Sequence, residues 1–322
     1  KQYVGGLAGY VDGNKSKGYN SFENLSNYGA VEATGNYVAG AFGYIKAYNT
    51  VRRCVNYADV KGLNGNFTSG FAAYGYAEFS DCLNTGNVAG NGYATAGFVS
   101  DASGAVFNGC VNTGSVKSTA AKATLSNFGA AGFMAKGSAI INSCVNMGSV
   151  SAPDFVAGFA GNVTAKASIS DSFTSASVEP GDSASCVQPF VAQVKDAEFN
   201  RCLFNIDEIP AAISDTVTNV YAKPITTDSL LTVNLGDGFA YMRACFPMVK
   251  ALADEQLYAI RSIGMIVPDG SGTSDAIRGI FYIGWPCDGL QWQYSGGLLP
   301  SDTDLGMIYP SELGNGWVKV ST

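Results

Sequence analysis

Five of the eight cysteines stand in one recurring setting, and an asparagine follows four of them two residues later. The copies are Arg53-Cys54-Val55-Asn56-Tyr57-Ala58-Asp59-Val60, Asp81-Cys82-Leu83-Asn84-Thr85-Gly86-Asn87-Val88, Gly109-Cys110-Val111-Asn112-Thr113-Gly114-Ser115-Val116 and Ser143-Cys144-Val145-Asn146-Met147-Gly148-Ser149-Val150. Thiols can serve a histidine-assisted nucleophile, an all-sulfur metal site or a disulfide frame. The chain has no histidine, so Ser-His-Asp and Cys-His chemistry is absent, along with the commonest metal ligand.

A motif that returns at a fixed spacing is first a feature of architecture. With Cys82 as marker, the matching residues are Leu25, Cys54, Cys82, Cys110, Cys144, Phe173 and Cys202, at intervals of 29, 28, 28, 34, 29 and 29. The long interval holds extra residues around 118–126, expected to bulge as a corner loop. A second motif keeps the same period: Tyr3-Val4-Gly5-Gly6-Leu7-Ala8-Gly9, Tyr37-Val38-Ala39-Gly40-Ala41-Phe42-Gly43, Phe67-Thr68-Ser69-Gly70-Phe71-Ala72, and on to Phe155-Val156-Ala157-Gly158-Phe159-Ala160-Gly161. Its alternation of apolar and small residues is that of a half-buried strand. A third short strand lies between the two, as in Ala105-Val106-Phe107-Asn108. The spacing predicts an all-β chain whose residues 1–209 form a parallel β-helix, with three-strand coils of about 28–29 residues stacked at ~4.8 Å. A helical repeat would need a 3.6-residue apolar period and few glycines. A propeller blade would need about 40–45 residues.

Coils stacked in this way place the marker residues above one another, and Leu25 and Phe173 identify the position as apolar. The cysteines are then expected to be small buried hydrophobes. Rungs at ~4.8 Å leave disulfides between coils open. One column does not supply the two converging pairs of an all-sulfur metal site. Cys186, Cys245 and Cys287 lie off the ladder, free or paired. Asn27, Asn56, Asn84, Asn112 and Asn146 form a second column in which amides are expected to hydrogen-bond along the stack. Gly29, Gly86, Gly114 and Gly148 are expected at a corner of positive φ.

The two motifs together resemble the GLUG-motif repeat family, with Gly6-Leu7-Ala8-Gly9 nearest its Gly-Leu-x-Gly core. The resemblance covers about residues 1–209. It implies a bacterial β-solenoid that is secreted or attached to the cell surface, as in adhesin-like proteins and the non-catalytic parts of some IgA-cleaving peptidases. It implies no catalytic residue. Phe173 in place of Cys, and Gln188-Pro189 in place of a small pair, depart from the pattern.

The repeat fades near Ile206–Pro210. Residues 210–252 are expected to be a terminal coil or cap, since a β-helix end exposes unpaired strands. In residues 253–322 strand-like stretches alternate with turns such as Pro268-Asp269-Gly270-Ser271-Gly272, which predicts a small β-sandwich similar to bacterial Ig-like modules.

The remaining residue types narrow the function. The 26 carboxylates outnumber the 19 Lys and Arg, so nucleic acid is not an expected partner. No stretch approaches the roughly 18 apolar residues of a membrane span. The chain begins inside a repeat, and a signal and an anchor are expected beyond it, with an extracellular or cell-surface location. Polysaccharide lyases and hydrolases also use β-helices, but their sites need clustered acids. Here Asp59, Glu78, Asp81, Asp101, Asp154 and Asp171 are scattered. Asp81 and Asp171 sit three coils apart, about 14 Å, and Arg52, Arg53 and Lys61 form a small basic corner. No catalytic residue, cofactor or metal is expected. Outer aromatics are better candidates: Tyr44, Tyr74 and Tyr76 are expected to bind glycans or surface proteins, with Tyr10 and Phe79 nearby. The function these features suggest is a non-enzymatic adhesin-like protein. The alternatives are a polysaccharide-active enzyme or an accessory region of a larger surface protease.

Overall fold

In a computed structural model the described residues are 2–17, 19–64, 66–120, 129–182, 184–209 and 221–226, with the backbone of five short strands between 266 and 321. The chain divides into two compact units, Lys1–Ser229 and Leu230–Thr322.

The first unit is a parallel β-solenoid. Its coils hold five strands rather than the three expected, the second and third running together in Val99–Asn108 and Met134–Asn142. In the second coil these are Tyr37–Ala39, Phe42–Ile45, Asn49–Arg52, Val55–Asn56 and Val60–Gly62. The glycine-rich motif breaks at Gly40 into a first and a second strand. The cysteine motif breaks after Asn56 into a fourth and a fifth. A two-residue strand such as Val55–Asn56 shows no alternation, so periodicity merges it with its neighbour. Equivalent strands stack parallel and in register: Tyr3 with Tyr37, Tyr37 with Phe67, Phe67 with Ala94. Seven first strands, eight fourth strands and six fifth strands make separate sheets, and the second and third strands share one 12-stranded sheet. Among the described residues this is six complete turns and most of a seventh. Lys223–Ile225 pairs with Leu203–Asn205 and adds one more rung to the fourth column.

The interior is an aromatic stack. Phe71, Phe98, Phe133, Phe159 and Phe190 lie one above the next, with ring centres 4.7, 4.9, 5.1 and 4.8 Å apart. All five are fully buried. Phe79 and Phe107 form a parallel pair 4.9 Å apart beside them. Phe79 is therefore core, not an outer-face aromatic.

The asparagine column is present as expected. Asn27 Nδ2 donates to Asn56 Oδ1, Asn56 to Asn84, Asn84 to Asn112 and Asn112 to Asn146, at 2.8, 2.8, 2.7 and 2.7 Å. Every Nδ2 also donates to the carbonyl two residues on, as from Asn84 to Gly86 at 2.9 Å. Thr174 takes the next position, and Asn146 Nδ2 ends the column on the Gly158 carbonyl at 2.7 Å. The glycines of the other motif make room for these amides. A Cβ on Gly40, Gly70, Gly97 or Gly132 would lie 2.0–2.2 Å from the Nδ2 of Asn56, Asn84, Asn112 or Asn146. The two sequence motifs thus interlock.

Two sequence expectations are corrected. Gly29, Gly86, Gly114 and Gly148 are not at positive φ. A Cβ on Gly86, Gly114 or Gly148 would strike the carbonyl of the coil below at 1.8–2.0 Å, so close backbone stacking selects glycine in those three. The left-handed corner is one residue before the ladder position, at Asn24, Arg53, Asp81, Gly109, Ser143, Asp171 and Arg201, with φ of 50–61°. The sixth rung of the ladder is Ser172, not Phe173, because Phe173 pairs with Val145. With Ser172 on the ladder and Leu25 38% exposed, the position is neither apolar in every coil nor buried in the first.

The second unit contains an antiparallel pair, Ile266–Pro268 with Ile277–Gly279. It also contains a three-stranded antiparallel sheet of Phe281–Ile283, Gln291–Ser295 and Trp317–Ser321. The cap expected at 210–252, apart from 221–226, and all of residues 253–322 but these strands, where an Ig-like sandwich is expected, lie outside the described residues, as does most of the 118–126 loop.

Candidate functional site

In the first strand, Val38 points inward and Tyr37 and Ala39 outward, as strand alternation requires. In the second, Phe42 and Ile45 are buried and Tyr44 is half-exposed. In-register stacking then builds two outer rows, Tyr3–Tyr37–Phe67 and Tyr10–Tyr44–Tyr74. Rings stack along each row: Tyr44 and Tyr74 at 4.2 Å and 7°, Tyr37 and Phe67 at 5.0 Å and 13°. Across the rows they meet edge to face, Tyr37 on Tyr44 at 5.4 Å and 85°. Outward side chains of adjacent strands touch only where those strands meet at a re-entrant angle. The rows therefore line a seam, floored by Ala39, Ala73, Ala96, Ala131, Ala135 and Ala157.

Past Tyr74 the second row continues in register through Asp101, Lys136, Asn162 and Gln193. Asp101 and Lys136 form an ion pair at 3.3 Å, and the same ammonium lies 4.8 Å from the centre of the Phe67 ring. Burial raises the Asp101 pKa above its ordinary value, against the pull of Lys136. Burial also raises Tyr37 and pushes Tyr74 up to about 12. Both phenols thus stay protonated at neutral pH and can donate as well as accept. Three polar atoms along the seam have no hydrogen-bond partner: Ser69 Oγ, Gln188 Oε1 and Gln193 Oε1. Ser69 shares register with the floor alanines Ala39 and Ala96, and Gln188 with Ala157.

Of the three aromatics expected to bind, Tyr44 and Tyr74 are brought together. Tyr76 is not; its ring packs over Gly104 at another corner. Sugar-binding aromatic platforms use ring faces, but here the stacked rings cover one another's faces. What they offer solvent is edges and phenol hydroxyls. Sequence reasoning missed Tyr3, Tyr37 and Phe67 because their motif was read only as a strand. The signal was an aromatic at the first motif position in four copies, Tyr3, Tyr37, Phe67 and Phe155.

The other candidate residues are accounted for structurally. The described cysteines are all free, and those of the ladder are buried. Cys82 and Cys144 donate to the Ser80 and Asn142 carbonyls at 3.3 and 3.2 Å, and Ser172 Oγ does the same to Ser170 at 2.9 Å. Burial raises Cys82 and Cys110 well above the ordinary thiol value and Cys202 to about 11. Such thiols are poor nucleophiles. Among the described residues no group of three or more His, Cys, Asp or Glu is placed to hold a metal. Asp59 accepts from the Asn87 N–H and Asp154 from that of Ser185, at 2.8 and 2.7 Å. Asp171 pairs with Arg201. In the basic corner, Arg53 and Lys61 pair with Glu23 and Glu32 at 3.3 and 3.4 Å.

No family model matches the chain, and neither the curated proteins nor the solved structures contain a detectable match. No helix among the described residues is long and apolar enough to cross a membrane.

Proposed function

We propose that this chain is a non-enzymatic, adhesin-like β-solenoid of the GLUG-repeat kind, secreted or held at a bacterial surface, that binds glycans or surface proteins along its tyrosine seam. The observation that supports this is the pair of aromatic rows on the outside of the coils. Five tyrosines and a phenylalanine gathered outside the core are an unusual use of apolar surface for a solenoid that already has a complete interior. Tyrosine supplies contact area with a polar tip at low entropy cost.

Binding of the wild-type chain and of a Tyr44→Ala/Tyr74→Ala variant to glycan arrays and to intact host and bacterial cells tests the proposal. Loss of binding in a variant that remains folded is expected. Equal binding by both proteins overturns it. The polysaccharide-active alternative predicts new reducing ends when the chain is incubated with a polysaccharide panel; the adhesin reading expects none.

A further inference from the structure

We infer that the seam takes a linear, uncharged oligosaccharide laid along the solenoid axis, with hydroxyls bound by the phenols of Tyr44 and Tyr74 at one end and by Gln188 and Gln193 at the other. This rests on the reading of the seam as a binding surface and narrows its ligand.

Three observations converge on that ligand class. The first is the set of orphaned acceptors. Gln188 Oε1 and Gln193 Oε1 are turned in from solvent without a partner, on side chains that are themselves half-buried; Ser69 Oγ, fully buried like the unpaired Thr68 Oγ1 and Thr95 Oγ1, is out of a ligand's reach. Buried polar atoms are ordinarily satisfied, so two unpaired amide oxygens on side chains that can turn outward mark where outside donors belong. Sugar hydroxyls are such donors.

The second is charge. The charges in the second row are Asp101 and Lys136, and they neutralise each other. An ionic chain would find no unpaired counter-charge in the row. The third is the backbone. Tyr37–Ala39 is hydrogen-bonded to the coil below and to the coil above, and the same holds for Phe67–Ser69 and Ala94–Ala96. From Tyr37 to Ala96 no strand edge is open, so a peptide could not add itself as another strand beside the tyrosine rows; among the described residues Cys186–Gln188 and Val191–Val194 pair on one side only. Recognition beside the tyrosines must come from side chains. From Tyr44 to Gln193 the row climbs five coils, about 24 Å at the β-stacking rise. A ligand that uses both ends is therefore a chain and not a single sugar.

Calorimetric titration of the full chain with cellohexaose, xylohexaose, mannohexaose and laminarihexaose, the matching disaccharides, and hexagalacturonate tests the inference. At least one neutral hexasaccharide is expected to bind, its disaccharide about tenfold or more weaker, and hexagalacturonate not at all. A Gln188→Leu/Gln193→Leu variant is expected to lose about tenfold while its circular dichroism and melting stay native. Binding of the acid alone, equal binding of disaccharide and hexasaccharide, undiminished binding by the folded glutamine variant, or no binding by any probe overturns the inference. If the glutamine variant does not fold, the length series on the wild-type chain decides. Should the tyrosine variant lose cell-surface binding while no neutral chain binds, the ligand class is wrong and the adhesin reading stands. Should the tyrosine variant bind cells as wild type does, both fall.

Discussion

Truncating one amide in the middle of the asparagine column should cost several times more than truncating the first. Asn112 is fully buried. Its Nδ2 donates to Asn146 Oδ1 at 2.7 Å and to the Gly114 carbonyl at 2.9 Å, and its Oδ1 accepts from Asn84 Nδ2 at 2.7 Å. Asn112→Ala removes all three. At about 1 kcal/mol per net hydrogen bond, with a further ~1 kcal/mol for the space left, the loss is about 3–5 kcal/mol. Asn27 also makes three bonds, donating to Asn56 Oδ1 and the Gly29 carbonyl and accepting from the Gly29 N–H at 3.1 Å, but two of them are to an exposed residue, so water can replace much of what is lost. Asn27→Ala should cost about 1–2 kcal/mol. Urea unfolding followed by far-ultraviolet circular dichroism measures both.

Asn112→Asp supplies a control of different chemistry. A carboxylate cannot donate, and burial raises its pKa above the unfolded value of about 4. A raised acid favours the folded state below that unfolded pKa, and the benefit is lost as pH rises through the folded one. The Asp variant should therefore be least stable at neutral pH and recover as the solution is acidified toward about pH 4. A loss under about 1 kcal/mol for Asn112→Ala, or one no larger than for Asn27→Ala, would refute the view that the column holds the coils together.

Further outcomes follow from other parts of the solenoid. Phe98 is fully buried between Phe71 and Phe133, and Phe98→Ala should cost about 3–5 kcal/mol by chemical denaturation. Ser143 sits at φ 52°, so Ser143→Val should lower stability by about 1–2 kcal/mol in the same assay, while Ser143→Gly should not lower it. In native protein near pH 8, iodoacetamide followed by mass spectrometry should label half-exposed Cys186 ahead of Cys82 and Cys110, which should react only in denaturant. Gly97→Ala should be more damaging than Asn112→Ala, and adding Asn112→Ala should not rescue it, because the new Cβ also meets the Gly132 carbonyl at 2.2 Å.

The solenoid and its asparagine column were legible because they depend on identity at a fixed period. Asn56, Asn84, Asn112 and Asn146 must be asparagine to pass a donor upward and accept one from below. The left-handed corner was not legible. Gly109, Asn24, Asp81 and Asp171 are of types that favour that conformation, but Arg53, Ser143 and Arg201 break the signal. Five strands were read as three because two-residue strands are shorter than any window that detects alternation. The alignment slipped by one at Ser172 because Phe173, the larger apolar residue, looked like the better match to cysteine. The seam was half legible. Tyr44 and Tyr74 were found as outer aromatics, but their neighbours come from another strand of the same coil. That adjacency depends on the angle between two strands, which no spacing encodes.

The asparagine amides all face one way, each offering an N–H to the coil above and an oxygen to the coil below. Every middle coil thus presents the same plug and the same socket. A unit of about one coil can be duplicated or deleted between Asn84 and Asn112 without creating a mismatched joint. Changes in gene length of that size would lengthen or shorten the molecule by whole rungs while leaving both ends chemically unchanged. Thr174, which supplies no amide, is where such copying would run into a stop. A lineage of these proteins could vary its reach by counting repeats, while the outward side chains of each new copy drift toward different ligands.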